Sequence, residues 1–320
     1  MVEKLDLRDR KILYELDKNA RTPSSVIAKK VGLTPEGVNY RIKRFESEEI
    51  ITQYQMIINI SKLNIFPFKI FLSFQHMSSE KLNEIIELLK KKEYVKWIVS
   101  CRGEWDLIMT IETDSVESAD EIKIKILSLF GNYIRKKSIS IIVEADSYNR
   151  VYLLDEKNII SSKAIMKRDN LVEIDELNMK ILKKLSENSR ISIVDLAEEL
   201  KSTTRIIQYR IKQLEKKKII LGYKIALNYE KLGINFYKCL VYLSNIKENR
   251  IKELVNYFVS NRNIIHNVQV MGDWDYEPEF EVFSEEEFEK ILGEMKDKFS
   301  DIISRIDVVT IRKEYKFVYF

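Results

Sequence analysis

Apolar residues recur at helical spacing in two stretches that lie far apart in the chain. These residues are Val38, Ile42 and Phe45 in the first stretch, and Ile207, Ile211 and Leu214 in the second. Their i, i+4, i+7 spacing places the side chains on one face of a helix. A threonine precedes each stretch, Thr34 or Thr203, and its hydroxyl is suited to cap a helix N-terminus. The pattern therefore predicts two amphipathic helices, each with one buried stripe.

The opposite face of each predicted helix carries cationic, amide and aromatic side chains. In the first helix the candidate residues are Thr34, Glu36, Asn39, Tyr40, Arg41, Lys43 and Arg44. In the second they are Thr203, Thr204, Arg205, Gln208, Tyr209, Arg210, Lys212, Gln213 and Lys216. Such side chains can reach phosphates and base edges when a helix lies in a DNA groove. Both sets are therefore candidates for contact with double-stranded DNA.

Two alternatives to DNA contact remain open for these charged residues. Charged helix faces usually do no more than keep a surface helix solvated. Arg41 and Arg210 lie near the apolar edge of their helices, so ion pairs that brace the fold are as good an explanation for them as phosphate contacts. Tyr, Arg and Lys are common to both helices and suit contact with the DNA backbone, whereas Glu36 and Arg205 differ and suit different base readout.

The two helices belong to a longer repeat, because the chain matches itself at a shift of 169 positions. At this shift Asp6 aligns with Asp175 and Arg21 with Arg190. Further matches are Tyr40–Lys43 with Tyr209–Lys212, Tyr54 with Tyr223, and Gly103–Asp106 with Gly272–Asp275. Solenoid repeats have periods of roughly 20–50 residues, so a period this long indicates duplicated domains.

Each half begins with three predicted helices. The first two cover about Arg8–Asn19 and Pro23–Val31, and their counterparts cover Leu177–Asn188 and Ser192–Leu200. A tight turn follows, with Gly32 in the first half and the less suitable Lys201 in the second. The third helix leads into Ile50–Asn59 or Ile219–Asn228, whose β-branched and aromatic residues predict a hairpin or wing. Three helices and a wing form a winged helix-turn-helix.

The remainder of each half alternates between strand and helix patterns in the order β-α-β-β-α-β, which is the ferredoxin-like arrangement. A further aromatic strand is predicted after each copy, at Tyr148–Leu154 and Tyr315–Phe320. The fold class is therefore α+β, with two winged helix-turn-helix domains and two ferredoxin-like βαββαβ domains in tandem. Winged helices are predicted at 1–60 and 174–229, and βαββαβ domains at 61–154 and 230–320. Residues 155–173 are predicted to form a linker, in which a short helix around Ile165 is also compatible with the sequence.

Several motifs in this order resemble the Lrp/AsnC (leucine-responsive, or feast/famine) family of transcription regulators. They are Leu5–Leu13, the Arg-Ile-Lys helices, Ile219–Tyr223 and the two Gly-x-Trp-Asp turns. The resemblance covers nearly all of both halves, and its specificity comes from the order and spacing of the motifs. Two departures are Gln53, where the family usually has a glycine, and Pro278 within a predicted strand.

The resemblance implies a sequence-specific DNA-binding transcription regulator that is not an enzyme. Members of the family usually dimerise through the βαββαβ domain, so the fused chain resembles a covalent dimer or half of a larger homo-oligomer. The paired sheets are expected to bury strand faces such as Leu107, Met109 and Ile111. The family also binds small-molecule effectors, for example amino acids, at the Gly-x-Trp-Asp turns. The matching residues are Gly103, Asp106, Gly272 and Asp275. A purely structural role in the turns explains these residues equally well. Trp105 and Trp274 are expected to pack in the core.

Composition and charge narrow the class of protein. The net charge is only +4, so an anion-binding surface must be local. Residues 174–229 hold twelve basic and seven acidic residues, against eleven and nine in residues 1–60, so the second module is predicted to bind DNA more strongly. The sequence shows no signal peptide and no apolar run of the ~20 residues that span a bilayer, which predicts a cytoplasmic protein without a membrane partner.

The sequence shows no pattern that is typical of a metal or cofactor site. His76 and His266 do not stand in metal-ligand spacing with Cys101 or Cys239, which are expected to be reduced core thiols. No metal site and no cofactor are therefore predicted. Two other functions remain open: an enzyme similar to the sirohaem decarboxylases, which have the same two-domain arrangement, and a sensor or scaffold whose winged helices bind protein.

One acidic segment differs from its counterpart in the first half, where the equivalent positions are Ile108, Thr110 and Glu112. Glu277, Glu279 and Glu281 alternate with apolar residues and so share one face of a predicted strand. Pro278 indicates that this strand lies at an edge or contains a bulge. The favoured interpretation is a solvated outer face, and the alternative is a surface that binds a cation or a basic partner.

Overall fold

The computed structural model describes residues 5–154 and 170–318, together with the backbone of 162–166. The described helices are α1 (Leu7–Lys18), α2 (Ser24–Val31), α3 (Pro35–Ser47), α4 (Ser79–Lys90), α5 (Val116–Phe130), α6 (Glu176–Glu187), α7 (Ile193–Glu199), α8 (Thr204–Lys216), α9 (Tyr229–Leu232), α10 (Glu248–Ser260) and α11 (Glu285–Lys298). The described strands are β1 (Ile51–Ile58), β2 (Phe66–Phe74), β3 (Val95–Arg102), β4 (Leu107–Thr113), β5 (Ile134–Tyr148), β6 (Ser162–Met166), β7 (Ile220–Leu227), β8 (Asn235–Leu243), β9 (Ile264–Met271), β10 (Tyr276–Val282) and β11 (Ile303–Phe317). This order confirms the α+β class and the duplication.

The N-termini of α3 and α8 are capped as predicted. The Thr34 hydroxyl accepts a hydrogen bond from the Gly37 N–H at 3.1 Å, and Thr203 accepts one from Ile206 at 3.2 Å. In the turn before α8, Lys201 adopts a left-handed backbone with φ of 50°, close to the 69° of Gly32 in the first half. The turn therefore keeps its shape in the second half, although a side chain in this conformation costs roughly 1–2 kcal/mol.

The two predicted wings form a single structure. β1 pairs antiparallel with β7, with Ile51 opposite Leu227 and Tyr54 opposite Ile225. The prediction of a hairpin within each half is therefore wrong. Each half supplies one strand, because the chain leaves β1 through a 3₁₀ turn at Ile60–Leu63 and leaves β7 through α9, and both enter the next domain directly.

The remaining nine described strands form one sheet that closes on itself. The first βαββαβ domain orders its strands β5-β2-β4-β3, and the second orders them β11-β8-β10-β9. β3 pairs with β11 and β5 pairs with β9, so eight strands make a ring to which β6 is added beside β5. We call this ring the closed sheet. It joins the two halves through continuous backbone hydrogen bonding.

Two long strands make this closure possible. β5 pairs with β2 along its first part and with β9 along its second, and β11 pairs in the same way with β8 and then β3. The separate aromatic strands predicted at Tyr148–Leu154 and Tyr315–Phe320 are therefore wrong. Tyr148 and Tyr315 belong to β5 and β11, a 3₁₀ turn follows at Val151–Leu153, and the last two residues lie outside the described part.

The outer face of the closed sheet is covered by helices. Leu107, Met109 and Ile111 are fully buried in a cluster with residues of α4 and α5, such as Ile86 and Phe130. The expectation that these three residues lie where the sheets meet is therefore wrong. Alternate residues of a strand face opposite sides, so the interior is lined by the intervening residues of β4. Among them is Ile108, which packs in a different core cluster with Phe71, Trp105 and Trp274.

The predicted linker contributes to the sheet. The backbone of β6 pairs antiparallel with β5, with Asp146 opposite Ala164 and Tyr148 opposite Ser162. A strand therefore replaces the short helix considered around Ile165. The rest of that prediction falls partly on residues 155–161 and 167–169, which lie outside the described part. Within the described part of the chain, no helix is both long enough and apolar enough to cross a bilayer.

Candidate nucleic-acid interface

The apolar stripes of α3 and α8 are buried and the opposite faces are open to solvent. Val38, Ile42 and Phe45 lie in the core, as do their counterparts in α8. Tyr40 is 70% exposed and Tyr209 is 61% exposed, which is unusual for residues of this size. The other exposed candidates are Thr34, Glu36, Asn39, Lys43, Thr203, Thr204, Arg205, Gln208, Lys212 and Lys216, while Gln213 is half-buried. Each helix therefore presents the predicted face.

Three of the predicted arginines hold ion pairs within the protein. Arg41 contacts the carboxylates of Asp6 at 2.7 Å and Asp9 at 2.5 Å, and Arg44 contacts Asp9 at 2.7 Å. Arg210 makes the corresponding pair with Asp175. Burial opposes ionisation of Asp6, but the Asp9 backbone N–H and the Arg41 guanidinium together outweigh it and lower the pKa of Asp6. These contacts support the bracing role, since they tie α3 to the start of α1 and α8 to the start of α6.

Asn39 also has an internal partner. The Ser24 hydroxyl at the start of α2 lies 2.5 Å from the Asn39 amide oxygen. Its counterpart Gln208 is exposed on α8. The two helices therefore offer different polar groups at the same position.

Reciprocal contacts, which sequence reasoning missed, join the two DNA-binding domains. Arg21 donates to the carbonyl oxygens of Ser189 at 2.5 Å and Ile191 at 3.1 Å, and Arg190 donates to the carbonyl of Ala20. Each guanidinium also lies over a tyrosine ring of the shared β1–β7 sheet, at 5.5 Å for Arg21 and 5.6 Å for Arg190. In the sequence, the alignment of Arg21 with Arg190 was the one feature that pointed to these two residues.

The same two tyrosines connect that sheet to α3 and α8. The Tyr54 hydroxyl donates to Glu46 at the end of α3 at 2.5 Å, and the Tyr223 hydroxyl donates to Glu215 on α8 at 2.8 Å. Burial raises the pKa of both tyrosines, and the adjacent carboxylates raise it further. Both hydroxyls therefore stay protonated and able to donate. The two candidate recognition helices are thereby held against one common sheet.

A buried arginine links the DNA-binding domains to the closed sheet. Arg150 contacts Asp17 of α1 at 2.6 Å, the Ile225 carbonyl of β7 at 3.0 Å and Glu281 of β10 at 2.9 Å. Burial opposes the charge on Asp17, but Lys224 and Arg150 outweigh it and lower the pKa of Asp17. We call Arg150, Asp17 and Glu281 the Arg150 cluster.

The acidic face of β10 points into the closed sheet. Glu277 and Glu281 are fully buried and Glu279 is 7% exposed. The predictions of a solvated outer face and of an external binding surface are therefore both wrong. Lys238 contacts Glu277 at 2.9 Å and Glu279 at 2.5 Å, and Lys69 from the first half also pairs with Glu277. We call these four residues the charged layer. Burial opposes ionisation, but Lys238 and Lys69 hold the pKa of Glu277 at about 2.

Pro278 does not mark an edge strand. β10 lies between β8 and β9, and Pro278 stands opposite Asn267. The pairing with β9 shifts register between Glu279 and Phe280. The predicted bulge therefore lies one residue after Pro278. The missing proline N–H is tolerated at such an irregularity.

The Gly-x-Trp-Asp turns have structural roles in both halves. The Asp106 carboxylate accepts from the Phe74 N–H at 2.7 Å, and Asp275 accepts from Leu243 at 2.7 Å. A Cβ at Gly103 would lie 2.9 Å from the Val308 carbonyl oxygen, and one at Gly272 would lie 2.9 Å from Ser140. Each turn therefore packs closely on the long strand of the other half.

Tryptophans and cysteines pack as expected. Trp105 and Trp274 are buried, with ring centroids 6.2 Å apart. Cys239 is buried and Cys101 half-buried, and burial raises the pKa of both thiols. His266 lies inside the closed sheet, where burial lowers its pKa to about 4, whereas His76 is exposed after β2. The described residues contain no group of three or more His, Cys, Asp or Glu that is placed to hold a metal ion.

Known proteins match both DNA-binding domains. A family model for winged helix-turn-helix DNA-binding domains matches residues 5–52, and one for the AsnC-type helix-turn-helix domain matches residues 174–215. The HTH-type transcriptional regulator LrpA of Pyrococcus horikoshii is 35% identical over 141 residues, which are 44% of this chain and 97% of LrpA. An uncharacterised HTH-type transcriptional regulator of Pyrococcus furiosus is 31% identical over 152 residues, which are 47% of this chain and 98% of that protein.

A solved structure matches the whole arrangement. The crystal structure of the siroheme decarboxylase NirDL superimposes with a TM-score of 0.60 and 14% identity, covering 97% of this chain and 93% of that chain. At this identity the likeness shows a common fold. The regulators match one half of the chain in sequence, while this enzyme matches both halves in shape.

Proposed function

Since the chain belongs to the Lrp/AsnC family of HTH-type transcriptional regulators, we propose that it binds specific DNA sequences with α3 and α8 acting together as recognition helices. The observation that carries this proposal is the reciprocal Arg21 and Arg190 contact, which joins two exposed recognition faces in one chain. The protein would act in the cytoplasm as a regulator and not as an enzyme.

One chain would then contact two half-sites. Dimeric helix-turn-helix proteins place their recognition helices in major grooves about 34 Å, or one turn of DNA, apart. Here the second contact is made within the same molecule, which raises its effective concentration and the overall affinity. A single chain would therefore do what two separate subunits do in a dimeric regulator.

The two half-sites are expected to differ in sequence. Glu36 on α3 corresponds to Arg205 on α8, so an acidic and a basic side chain would meet the same position of each half-site. Arg44 is held by Asp9 in the first module, whereas its counterpart Gln213 carries no charge. We therefore infer an asymmetric operator, with the more basic α8 contributing more of the phosphate contacts.

Replacing Lys212 and Lys216 by alanine should weaken DNA binding by roughly ten- to a hundredfold at moderate salt. Both residues are exposed on α8, and each phosphate contact contributes about 0.9 to the slope of log affinity against log salt. The slope should therefore fall by about 2. Fluorescence anisotropy with genomic fragments selected by the full chain measures both quantities.

The matched control for this experiment is Lys290→Ala with Lys296→Ala on α11, which removes the same charge from exposed positions away from α8. This control should bind DNA as the wild type does. Equal losses in the two double variants would show that net charge, rather than α8, sets the affinity. If the full chain binds none of the fragments, the proposal fails, and the enzyme or protein-scaffold alternatives gain support.

We also propose that an amino-acid effector binds at the Gly-x-Trp-Asp turns, through Gly103, Asp106, Gly272 and Asp275. Both aspartates use one carboxylate oxygen for a backbone N–H, so the ligand would contact the remaining surface of each turn. A panel of the twenty amino acids in a thermal-shift assay tests this. A ligand of this site should lose its effect in Asp106→Asn with Asp275→Asn, while a panel without any stabilising amino acid would contradict the proposal.

Assembly beyond one chain is a further part of the proposed function. The pairing of βαββαβ domains takes place within the chain, so a larger homo-oligomer would use the outer helices. α5 exposes Val116 at 63%, Ile124 at 54% and Leu129 at 40%. These apolar residues suit contact with a second copy. Sedimentation equilibrium tests this, since a strictly monomeric chain at all concentrations would exclude it.

A further inference from the structure

A cavity of about 120 Å³ lies where the closed sheet meets the connections from the DNA-binding domains. Ile58 at the end of β1, Ile60 in the following turn and Tyr229 on α9 contribute to its wall. The strands on its other sides come from both halves. On a comparable measure one water needs roughly 10–15 Å³, so the cavity has room for a small organic molecule.

Most of the cavity wall is apolar and aromatic. Trp97, Phe236 and Phe317 line it together with Tyr229, whose ring centroid lies 4.8 Å from that of Phe236. Such rings offer apolar surface and also attract a cation through their faces.

Most charged side chains of the wall already have an ion-pair partner, whereas Glu314 has none among the described residues. Lys69 pairs with Glu277, Glu279 pairs with Lys238, and Lys96 lies 3.7 Å from Glu112. Glu314 instead accepts a hydrogen bond from the Trp97 indole N–H at 2.8 Å. Among the residues that the structure describes, no lysine or arginine lies within ion-pair distance of Glu314.

Glu314 is also accessible from the cavity. Its side chain is exposed and lines the cavity. Surrounding protein atoms keep bulk water from solvating the carboxylate and raise its pKa to about 7, and the carboxylates of Glu279 and Glu281 add to this effect. No cation among the described residues forms an ion pair with this carboxyl group, and an ammonium group in the cavity would supply one.

We propose that this cavity binds a small primary amine with an apolar body, with the ammonium group on Glu314 and the body among Trp97, Phe236 and Phe317. A carboxylate ligand is disfavoured, because Glu314 would repel it and the wall lysines Lys69 and Lys96 already pair with Glu277 and Glu112. The site is separate from the Gly-x-Trp-Asp turns, and its occupancy does not depend on whether the chain binds DNA.

Calorimetric titration of the full chain with three isosteric probes tests the proposal. The probes are phenethylamine, phenethyl alcohol and phenylacetate, which share a ring and differ in charge, with isoamylamine as a second amine. A charge-assisted hydrogen bond to Glu314 in the cavity should make phenethylamine bind at least about tenfold tighter than the other two aromatic probes. Equal affinity for the three, or the absence of heat for both amines at millimolar concentration, would overturn the proposal.

Glu314→Gln keeps the shape of the side chain and removes its charge. It should weaken phenethylamine binding about tenfold or more and leave phenethyl alcohol unchanged. The matched control Glu294→Gln removes an exposed carboxylate from α11 and should behave as the wild type. Unchanged amine affinity in Glu314→Gln would refute the assigned residue. If this variant does not fold, the comparison of the three probes on the wild type decides the question by itself.

Discussion

Arg150→Met should lower the free energy of unfolding by about 3–5 kcal/mol, the cost of removing one partner from a buried ion pair. Arg150 is almost fully buried and contacts α1, β7 and β10 at the same time. Methionine fills much of the volume but removes the ion-pair partner of Glu281 and, among the described residues, leaves Asp17 with Lys224 alone, at 3.5 Å. Urea unfolding at neutral pH, followed by far-UV circular dichroism, measures the change.

The control for Arg150→Met is Arg312→Met, since Arg312 is exposed on β11. This substitution should change the free energy of unfolding by less than about 0.5 kcal/mol. Arg150→Met combined with Glu281→Gln should cost less than the sum of the single changes, because the groups belong to one network. A loss below about 1 kcal/mol in Arg150→Met would show that the Arg150 cluster contributes little to joining the DNA-binding domains to the closed sheet.

Lys238→Met should also cost about 3–5 kcal/mol at pH 7, and this cost should shrink at acid pH. Lys238 is fully buried, and its ammonium group contacts both Glu277 and Glu279. The pKa of Glu277 is about 2 in the folded protein, against 4.5 for an ordinary glutamate. A lowered pKa means that Glu277 stabilises the fold above about pH 4.5 and that this stabilisation is lost as pH falls towards 2.

The wild type should therefore lose about 2 kcal/mol from Glu277 between pH 7 and pH 3, because each pKa unit corresponds to about 1.4 kcal/mol. In Lys238→Met the main cause of the lowered pKa is gone, so this loss should largely disappear. Urea unfolding of both proteins at pH 7 and pH 3 gives the comparison, with exposed Lys290→Met as the control. An equal cost of Lys238→Met at both pH values would contradict the role assigned to the charged layer.

The misinterpretation of β10 shows where sequence reasoning ends. Alternation correctly placed Glu277, Glu279 and Glu281 on one face of a strand. The inference that this face meets water assumed that a sheet has one wet side. In the closed sheet the face is internal, and its partners Lys69 and Lys238 lie 208 and 39 residues away from Glu277 in the chain. A local sequence pattern cannot identify ion-pair partners that are so far apart in the chain.

The DNA-binding face shows the same limit at a smaller scale. Helical periodicity identified the exposed residues of α3 and α8, since that periodicity depends only on the geometry of the helix itself. It did not distinguish Lys43, which is exposed, from Arg44, which pairs with Asp9 on another helix. Arg21 and Arg190 went unassigned because their partners are backbone carbonyls of the opposite half, and backbone groups carry no signature in the sequence.

The sequence by itself determined the duplication, most of the order of helices and strands, the caps of α3 and α8, and the resemblance to a regulator family. These follow from the spacing of side chains along short segments, where each residue interacts with neighbours a few positions away. Only the tertiary structure decided that β1 pairs with β7, that β5 and β11 close the sheet, and that the acidic face of β10 is internal. Strand pairing joins segments far apart in the chain through backbone groups that every residue shares, so its partners are chosen by the packing of the whole molecule.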